Sequence, residues 1–142
     1  MKKITSLLLA LLLSFTLFLL PSCGNEEEEA TDPWESATYK EDTTLGKGSK
    51  AFTFEVTAYE KTVKFTVKTD KSTVGDALTE LGLIEGEDGD FGLYVKKVNG
   101  ILADYDVDQT YWAFYINGEY GMSGVDTTAI ENGKTYAFRR EK

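Results

Sequence analysis

The sequence contains no histidine, one cysteine and two prolines among 142 residues. Without histidine, imidazole is not available as a general base or as a metal ligand. With Cys23 as the single cysteine, no disulfide can form within the chain. Basic residues are also scarce, because 15 lysines and arginines stand against 24 acidic residues, a formal net charge of −9. This balance argues against nucleic-acid binding, which needs a basic surface, and against charge-driven docking on an anionic membrane.

The sequence also lacks a recognisable catalytic set. No serine lies in a Gly-x-Ser-x-Gly turn, and there is no glycine-rich phosphate loop. Without histidine, a nucleophile would need lysine, aspartate, glutamate or tyrosine as its base. We therefore predict that the protein is not an enzyme. A pocket lined by Asp106, Lys96 or Arg139 would be needed to support the opposite interpretation.

The first 22 residues have the layout of a secretory signal. Lys2 and Lys3 precede an apolar stretch over residues 4–20, and an acidic segment follows instead of a basic cluster. The alternative is an uncleaved N-terminal membrane helix, for which 17 apolar-rich residues are at the short limit. The acidic flank favours the signal peptide.

The end of this stretch, Leu20-Pro21-Ser22-Cys23, resembles the lipobox of a bacterial lipoprotein signal peptide. The resemblance implies cleavage before Cys23 and attachment of a diacylglycerol to its sulfur. Two acyl chains are enough to hold a protein on a bilayer. We therefore expect a lipid-anchored protein on the extracytoplasmic face of the cell membrane.

Residues 23–49 are predicted to be the lipidated cysteine and a disordered acidic tether. They contain four consecutive acids, Glu26–Glu29, and no apolar periodicity. Such a segment cannot bury enough apolar surface to offset its conformational entropy. Metal binding by the glutamate run is the alternative interpretation. After cleavage, 13 basic and 24 acidic residues would remain, a formal charge of −11.

Residues 50–142 carry the periodic patterns of one folded domain. Alternating apolar residues predict a hairpin of strands over 52–58 and 62–68. Helical spacing predicts a helix from Val74 to Leu81, capped by Thr73 and ended by Gly82. Three further strands, over 93–98, 111–116 and 135–139, adjoin Asn-Gly turns. We predict an α+β, β-grasp-like fold with the order ββαβββ and one helix on a mixed sheet of four to five strands.

Two acidic clusters could be interpreted as metal sites. Asp104, Asp106 and Asp108 have the spacing that opens an EF-hand loop. The loop also needs glycine at its sixth position and glutamate at its twelfth, where this sequence has Gln109 and Tyr115. We therefore predict a solvated loop or strand edge there, and no metal site. A second cluster is predicted to be a polar loop: Glu85, Glu87, Asp88 and Asp90.

The C-terminal third has an unusual strand, because both of its faces carry aromatic residues. Trp112, Phe114 and Ile116 alternate with Tyr111, Ala113 and Tyr115. One interpretation is core packing with exposed tyrosines, and the other is a stacking surface for a flat apolar ligand. The following loop, Gly118–Gly124, permits close backbone approach at its glycines. It also offers Tyr120 and Met122 as contacts.

The same region is similar to the C-terminal domain of transcobalamin and intrinsic factor. The similarity is carried by three groups of residues and extends over about 51–140. They are Tyr111-Trp112-x-Phe114-Tyr115-x-Asn117-Gly118-Glu119, Met122-Ser123-x-Val125, and Glu131-Asn132-Gly133-Lys134-x-Tyr136-x-Phe138. Bacterial relatives of that domain are often secreted lipoproteins of unassigned function.

This resemblance implies a β-grasp domain that binds a soluble small molecule, with cobalamin or another corrinoid as the expected ligand. The partner is that ligand, or an envelope protein or transporter that receives it or completes the site. The alternative is an adhesion or assembly module that binds another protein. The resemblance implies the following ligand-binding residues: Trp112, Tyr115, Asn117, Gly118, Tyr120, Met122, Ser123, Gly124 and Val125.

Overall fold

The computed structural model describes residues 32–142. The expected signal peptide, Cys23 and the first part of the expected tether lie outside the described residues. The strands are β1 Thr43–Gly46, β2 Lys50–Ala58, β3 Lys61–Thr69, β4 Ile84–Gly89, β5 Gly92–Val98, β6 Ile101–Leu102, β7 Tyr111–Ile116, β8 Glu119–Tyr120 and β9 Thr135–Glu141. The α-helices are α1 Val74–Glu80 and α2 Tyr105–Asp108, and a 3-10 turn spans Val125–Thr127.

Six strands form one mixed sheet in the order β1-β3-β2-β9-β7-β8. The hairpin partners β2 and β3 are antiparallel, as the alternating sequence predicts, with Phe54 opposite Phe65. At the centre β2 pairs in parallel with β9, and β9 pairs antiparallel with β7. Parallel neighbours need a long crossover connection, which here contains both α-helices and the second sheet.

The apolar face of this sheet forms the core. Because side chains alternate along a strand, the buried set of β2 and β3 consists of every second residue. Helix α1 covers this face with Val74, Ala77 and Leu78, all fully buried. Thr73 caps the helix, and its hydroxyl accepts the N–H of Asp76 at 3.2 Å. The predicted helix is thus confirmed, although it ends one residue earlier than expected.

A second, antiparallel sheet has the order β4-β5-β6. Its apolar residues Val95, Val98 and Ile101 join the same core. The molecule is therefore a sheet-rich α+β structure with two sheets and two short α-helices in residues 32–142. The single sheet of four to five strands and the plain ββαβββ order are wrong, because the sequence pattern missed β1, β4, β6 and β8. These four strands are short or exposed, so they carry little alternation.

Residues 32–49 are folded, which corrects the predicted tether over 23–49 for its described part. Trp34 is only 3% exposed, and its indole N–H donates to the Ala58 carbonyl at 2.9 Å. Tyr39 packs edge-on against Phe65 at a centroid distance of 5.6 Å. Strand β1 adds in parallel to β3. Isolated aromatic residues make these contacts, so the segment shows no periodicity although it belongs to the domain.

Two predicted loops are also regular. Residues 84–89 form edge strand β4, whose acids point to solvent, and Glu87 and Glu85 pair with Lys96 and Lys97 of β5. The segment after Asp104 is the short helix α2, because the Asp104 carboxylate accepts the N–H of Asp106 at 3.1 Å and caps it. Within residues 32–142 no helix is long and apolar enough to cross a membrane.

Candidate functional site

An aromatic cleft of about 240 Å³ lies where β7 and β5, one from each sheet, approach each other beside the loop after β8. We call it the β5–β7 cleft. Its lining is dominated by aromatic rings and glycines. It consists of Leu93, Tyr94, Val95, Tyr111, Trp112, Phe114, Tyr120, Gly121, Ser123, Gly124, Val125 and Phe138.

Strand β7 sets the floor of the cleft. Its register with β9 places Phe114 opposite Phe138, and their ring centroids are 5.2 Å apart. Trp112 lies two residues away on the same face, and its indole N–H donates to the Ile101 carbonyl of β6 at 3.2 Å. That bond satisfies the buried indole and fixes its ring between the two sheets.

The loop after β8 closes one side. The N–H of Gly121 donates to the Phe114 carbonyl at 2.8 Å and so ties the loop to β7. A Cβ at Gly121 would lie 2.8 Å from Cδ2 of Phe114, so only glycine lets the chain pass this close to the ring. Further along, the Gly124 carbonyl accepts the hydroxyls of Thr127 and Thr128, which holds the loop end against the 3-10 turn.

Asp126 joins the two walls. Its Oδ2 accepts the N–H of Leu93, the first cleft residue of β5, at 3.2 Å. Its carboxylate also lies directly against Gly92 and Gly124, where a Cβ would come within 2.8 Å of Oδ1. Oδ1 itself is buried and has no hydrogen-bond partner among the described residues. We call Asp126 the clamp between these walls, because its carboxylate contacts both of them.

A polar network supports Tyr120 on the face of the sheet that it shares with Tyr115. The ring of Tyr115 packs edge-on against Tyr120 at 5.7 Å and lies 4.2 Å from the guanidinium carbon of Arg139. The Tyr115 hydroxyl donates to Glu141 at 2.5 Å, and this bond, together with burial, raises the pKa of Tyr115. The pKa of Tyr111 is raised as well, chiefly by burial and then by the charge of Glu141.

The structure brings five of the nine predicted ligand-binding residues together at the cleft: Trp112, Tyr120, Ser123, Gly124 and Val125. The other four lie elsewhere. Tyr115 supports Tyr120, and Asn117 and Gly118 form the β7–β8 turn with positive φ angles. Met122 projects away from the loop and is 96% exposed. Binding by the nine residues stays a prediction.

Sequence reasoning missed the contribution of β5. Leu93, Tyr94 and Val95 form one wall, and nothing in their local pattern shows that they meet β7. Tyr111, Phe114, Gly121 and Phe138 also line the cleft but are not among the predicted ligand-binding residues. The two-faced aromatic pattern of β7 was the available signal for Tyr111 and Phe114.

The chemistry of the cleft follows from its lining. None of the described residues that line it carries a formal charge, although the chain as a whole is strongly acidic. An ionised ligand group would lose hydration there without gaining a charged partner. Aromatic faces and tyrosine hydroxyls suit a neutral, flat ligand with a few polar groups.

Two other site interpretations receive less support. Within residues 32–142, no group of three or more acidic, cysteine or histidine side chains is placed to hold a metal ion. Lys96 pairs with Glu87, which raises the pKa of the lysine and makes it a poorer base. Lys96 lines a different, open cleft with Glu85 and Glu87, and none of Lys96, Asp106 and Arg139 lines the β5–β7 cleft. Another cleft, of about 340 Å³, is polar and lined mainly by threonines beside Asp42 and Lys64.

Comparison with solved structures places this geometry among known folds. The chain is similar to the crystal structure of a proposed metal-binding protein from Ruminococcus gnavus ATCC 29149, with 26% identity and a TM-score of 0.63. The match covers 66% of this chain and 98% of that protein. Another similar structure is haptocorrin in complex with Cbi, with 21% identity and a TM-score of 0.53. That match covers 69% of this chain but only 26% of haptocorrin, and it shows similarity of fold alone.

Comparison with sequences gives a family without an assigned activity. No curated protein matches the chain. The model of a family described as a domain of unknown function, DUF4430, matches residues 71–141, which is half of the sequence and contains α1, both walls of the β5–β7 cleft and β9. The chain therefore belongs to the DUF4430 family.

Proposed function

We propose that this protein binds a neutral, flat small molecule in the β5–β7 cleft and holds it at the cell surface for capture or uptake. The observation that carries the proposal is the uncharged aromatic cleft itself, formed by two sheets and a loop that the Asp126 clamp joins. Five residues implied by the resemblance lie there. Trp112, one of them, belongs to the buried core, and Tyr120 offers an exposed ring for stacking.

A corrinoid is the ligand class to test first. Haptocorrin was crystallised with Cbi, and about two thirds of this chain shares its fold. The volume of about 240 Å³ is below the range of roughly 300–1,000 Å³ usual for small-molecule pockets. The cleft would therefore contact an edge or one face of a corrinoid and leave the remainder exposed. The proposal assigns this chain a capture role with modest affinity.

The arrangement of the central strands also supports a ligand-binding function. We propose that the parallel pair β2 and β9, flanked by β3 and β7 and covered by α1, corresponds to a β-grasp core. We propose that β1, β8 and the second sheet are additions to that core. The added elements β5 and β8 contribute to the lining of the cleft, together with β7 and β9 of the core.

The proposed location rests on the N-terminal sequence. Lys2 and Lys3, the apolar stretch and the lipobox-like Leu20-Pro21-Ser22-Cys23 support a lipoprotein anchored through Cys23 on the extracytoplasmic face of the membrane. Mass spectrometry of the mature protein tests this directly. An N-terminal diacylated Cys23 is expected, whereas an intact Met1 would contradict it. We also propose that the protein is not an enzyme.

A role in binding another protein is the second candidate, and one observation favours it. Phe91 at the β4–β5 turn is 99% exposed, and Met122 on the facing loop is 96% exposed. The Phe91 carbonyl lies 3.7 Å from the position of a Cβ on Gly124, so the turn and the loop are neighbours. Two fully exposed apolar side chains beside the cleft would suit a partner that covers a bound ligand.

Titration of residues 24–142 with dicyanocobinamide tests the proposed function. Binding should quench the fluorescence of Trp112, and Trp34→Phe removes the only other tryptophan signal. Tyr120→Ala should weaken binding by roughly tenfold or more, because a stacked aromatic ring contributes about 1–3 kcal/mol. Saturable quenching that this variant weakens would support a corrinoid site.

Tyr105→Ala is the matched control. Tyr105 and Tyr120 are similarly exposed, at 57% and 59%, but Tyr105 lies on α2 outside the β5–β7 cleft. Affinity should therefore be unchanged in Tyr105→Ala. Equal losses in both variants, or no quenching at millimolar dicyanocobinamide, would remove the corrinoid proposal and leave the protein-binding role.

A further inference from the structure

The edge of β7 facing the cleft has main-chain groups without partners. Strand β7 pairs along its whole length with β9 on one side, but β8 covers only Tyr115 and Ile116 on the other. Beyond them the Gly121 N–H reaches the Phe114 carbonyl, and the pairing stops there. The edge beside Trp112 has no neighbouring strand within residues 32–142, because β5 belongs to the other sheet.

Alternation along the strand determines which groups point to this edge. In an antiparallel pair, successive residues direct their N–H and C=O groups to opposite sides. The Phe114 carbonyl points toward β8, so the main-chain groups of Trp112 point the same way and those of Ala113 point toward β9. Trp112 therefore presents an N–H donor and a C=O acceptor on the open edge. No hydrogen bond between them and another described residue is found.

These two groups lie at an unusual place for a free strand edge. Edge groups normally face bulk water, where hydration satisfies them. Here Trp112 is only 6% exposed, and it lies on the floor of an aromatic cleft. A donor and an acceptor that are partly withdrawn from water gain more from a partner than exposed groups do. The cleft thus combines apolar walls with one main-chain recognition point.

We infer that the β5–β7 cleft recognises an amide group of its ligand through the main-chain N–H and C=O of Trp112, as an added strand would. A primary carboxamide, or one residue of an extended peptide, presents a donor and an acceptor on the same side without a charge, so either fits both the edge groups and the uncharged lining. The inference rests on the proposed function, because it names the chemistry that the same cleft would bind. Such an amide could come from a corrinoid carboxamide or from an extended peptide.

Amide hydrogen exchange of residues 24–142 tests this inference first without any ligand. The Trp112 N–H should exchange at least tenfold faster than the Ala113 N–H, which is directed toward β9. Equal protection of the two would mean that the edge is already bonded, and would overturn the inference.

Two probes then separate the sources of the amide. They are dicyanocobinamide and an acetylated, amidated Lys-Val-Val-Val-Lys peptide, whose lysines complement the acidic chain. At a tenfold excess over its Kd, a bound probe should slow exchange at Trp112 roughly tenfold. Protection by the first probe identifies a carboxamide, and protection by the second identifies a peptide strand. The same peptide with its central amide N-methylated is the control, and it should give no protection.

Failure of amide recognition can be distinguished from failure of the proposed function. If dicyanocobinamide quenches Trp112 fluorescence but leaves its amide exchange unchanged, the proposed function stands and amide recognition is wrong. If the N-methylated peptide protects as well as the parent peptide, side-chain contacts alone explain binding and the inference is overturned. If neither probe protects Trp112, it is overturned too.

Discussion

Replacing Trp34 by alanine should destabilise the whole domain, although Trp34 lies in a segment without any periodic pattern. The indole is 3% exposed, donates to the Ala58 carbonyl at 2.9 Å and lies 4.9 Å from the ammonium of Lys61. Removing a buried tryptophan costs about 3–5 kcal/mol through lost burial and the cavity that remains. The Ala58 carbonyl would also lose its indole donor.

The expected loss in the free energy of unfolding can be compared with the total stability of the domain. Domains of this size are usually stable by about 5–15 kcal/mol, so the Trp34→Ala variant should lose a large fraction of its free energy of unfolding. With a urea m-value of roughly 1–3 kcal/mol/M, the midpoint should fall by about 2 M. Trp34→Phe keeps most of the ring and loses the hydrogen bond, so it should cost less, about 1–3 kcal/mol.

Urea unfolding followed by far-UV circular dichroism measures both variants, because that signal does not depend on the tryptophan removed. Tyr105→Ala, an exposed substitution, is the control and should stay within about 0.5 kcal/mol of the parent. If Trp34→Ala unfolds at the same urea concentration as the parent, residues 32–49 do not belong to the cooperative unit, and the reasoning from burial is refuted.

Three further predictions concern the groups around the cleft and α2. The hydrogen bonds from Thr110, with the charge of Arg140, lower the pKa of Asp108. The free energy that the ionised carboxylate contributes to folding is therefore present above the ordinary pKa of about 3.9 and is lost as pH falls through the lower folded value. The difference in stability between the parent and Asp108→Asn should shrink below about pH 4, and a difference that stays constant from pH 6 to pH 2 would contradict this prediction. Glu141→Gln should lower the pKa of Tyr115 toward its ordinary value, because the bond to Glu141 is the main cause of its rise, and an unchanged ultraviolet titration of the phenolate would exclude this cause. Asp126→Asn should keep the Leu93 bond through its amide oxygen, whereas Asp126→Ala removes that bond and should lose about 1–3 kcal/mol more than Asp126→Asn in thermal or urea unfolding; equal losses in both variants would show that the Leu93 bond contributes nothing to stability.

The centre of the fold was predictable because its elements have local signatures. The alternation in β2 and β3, the helical spacing of α1 with Thr73 as its cap, and the Asn-Gly turns after β5 and β7 all reflect short-range constraints. Strand β7 was predicted with its observed bounds and the correct division of its two faces. Each of these features depends only on residues close together in the chain.

The remaining features depend on partners distant in sequence. Strand β4 carries five exposed residues and is a strand only because β5 pairs with it, so its composition resembles a loop. Trp34 reaches the carbonyl of a residue 24 positions away. The same limit applies to the site, since the aromatic motif located Trp112 and Tyr120 but could not show that Leu93 and Tyr94 form the facing wall.

Chemical-shift mapping is the most direct test of the central claim that the β5–β7 cleft is the ligand site. Two-dimensional ¹⁵N–¹H spectra of residues 24–142 would be recorded while dicyanocobinamide is added. The expected result is a set of saturable shifts centred on Trp112, Tyr120 and Gly124. Shifts centred on Thr44 and Thr66 at the polar cleft, or no shifts at millimolar ligand, would contradict the claim.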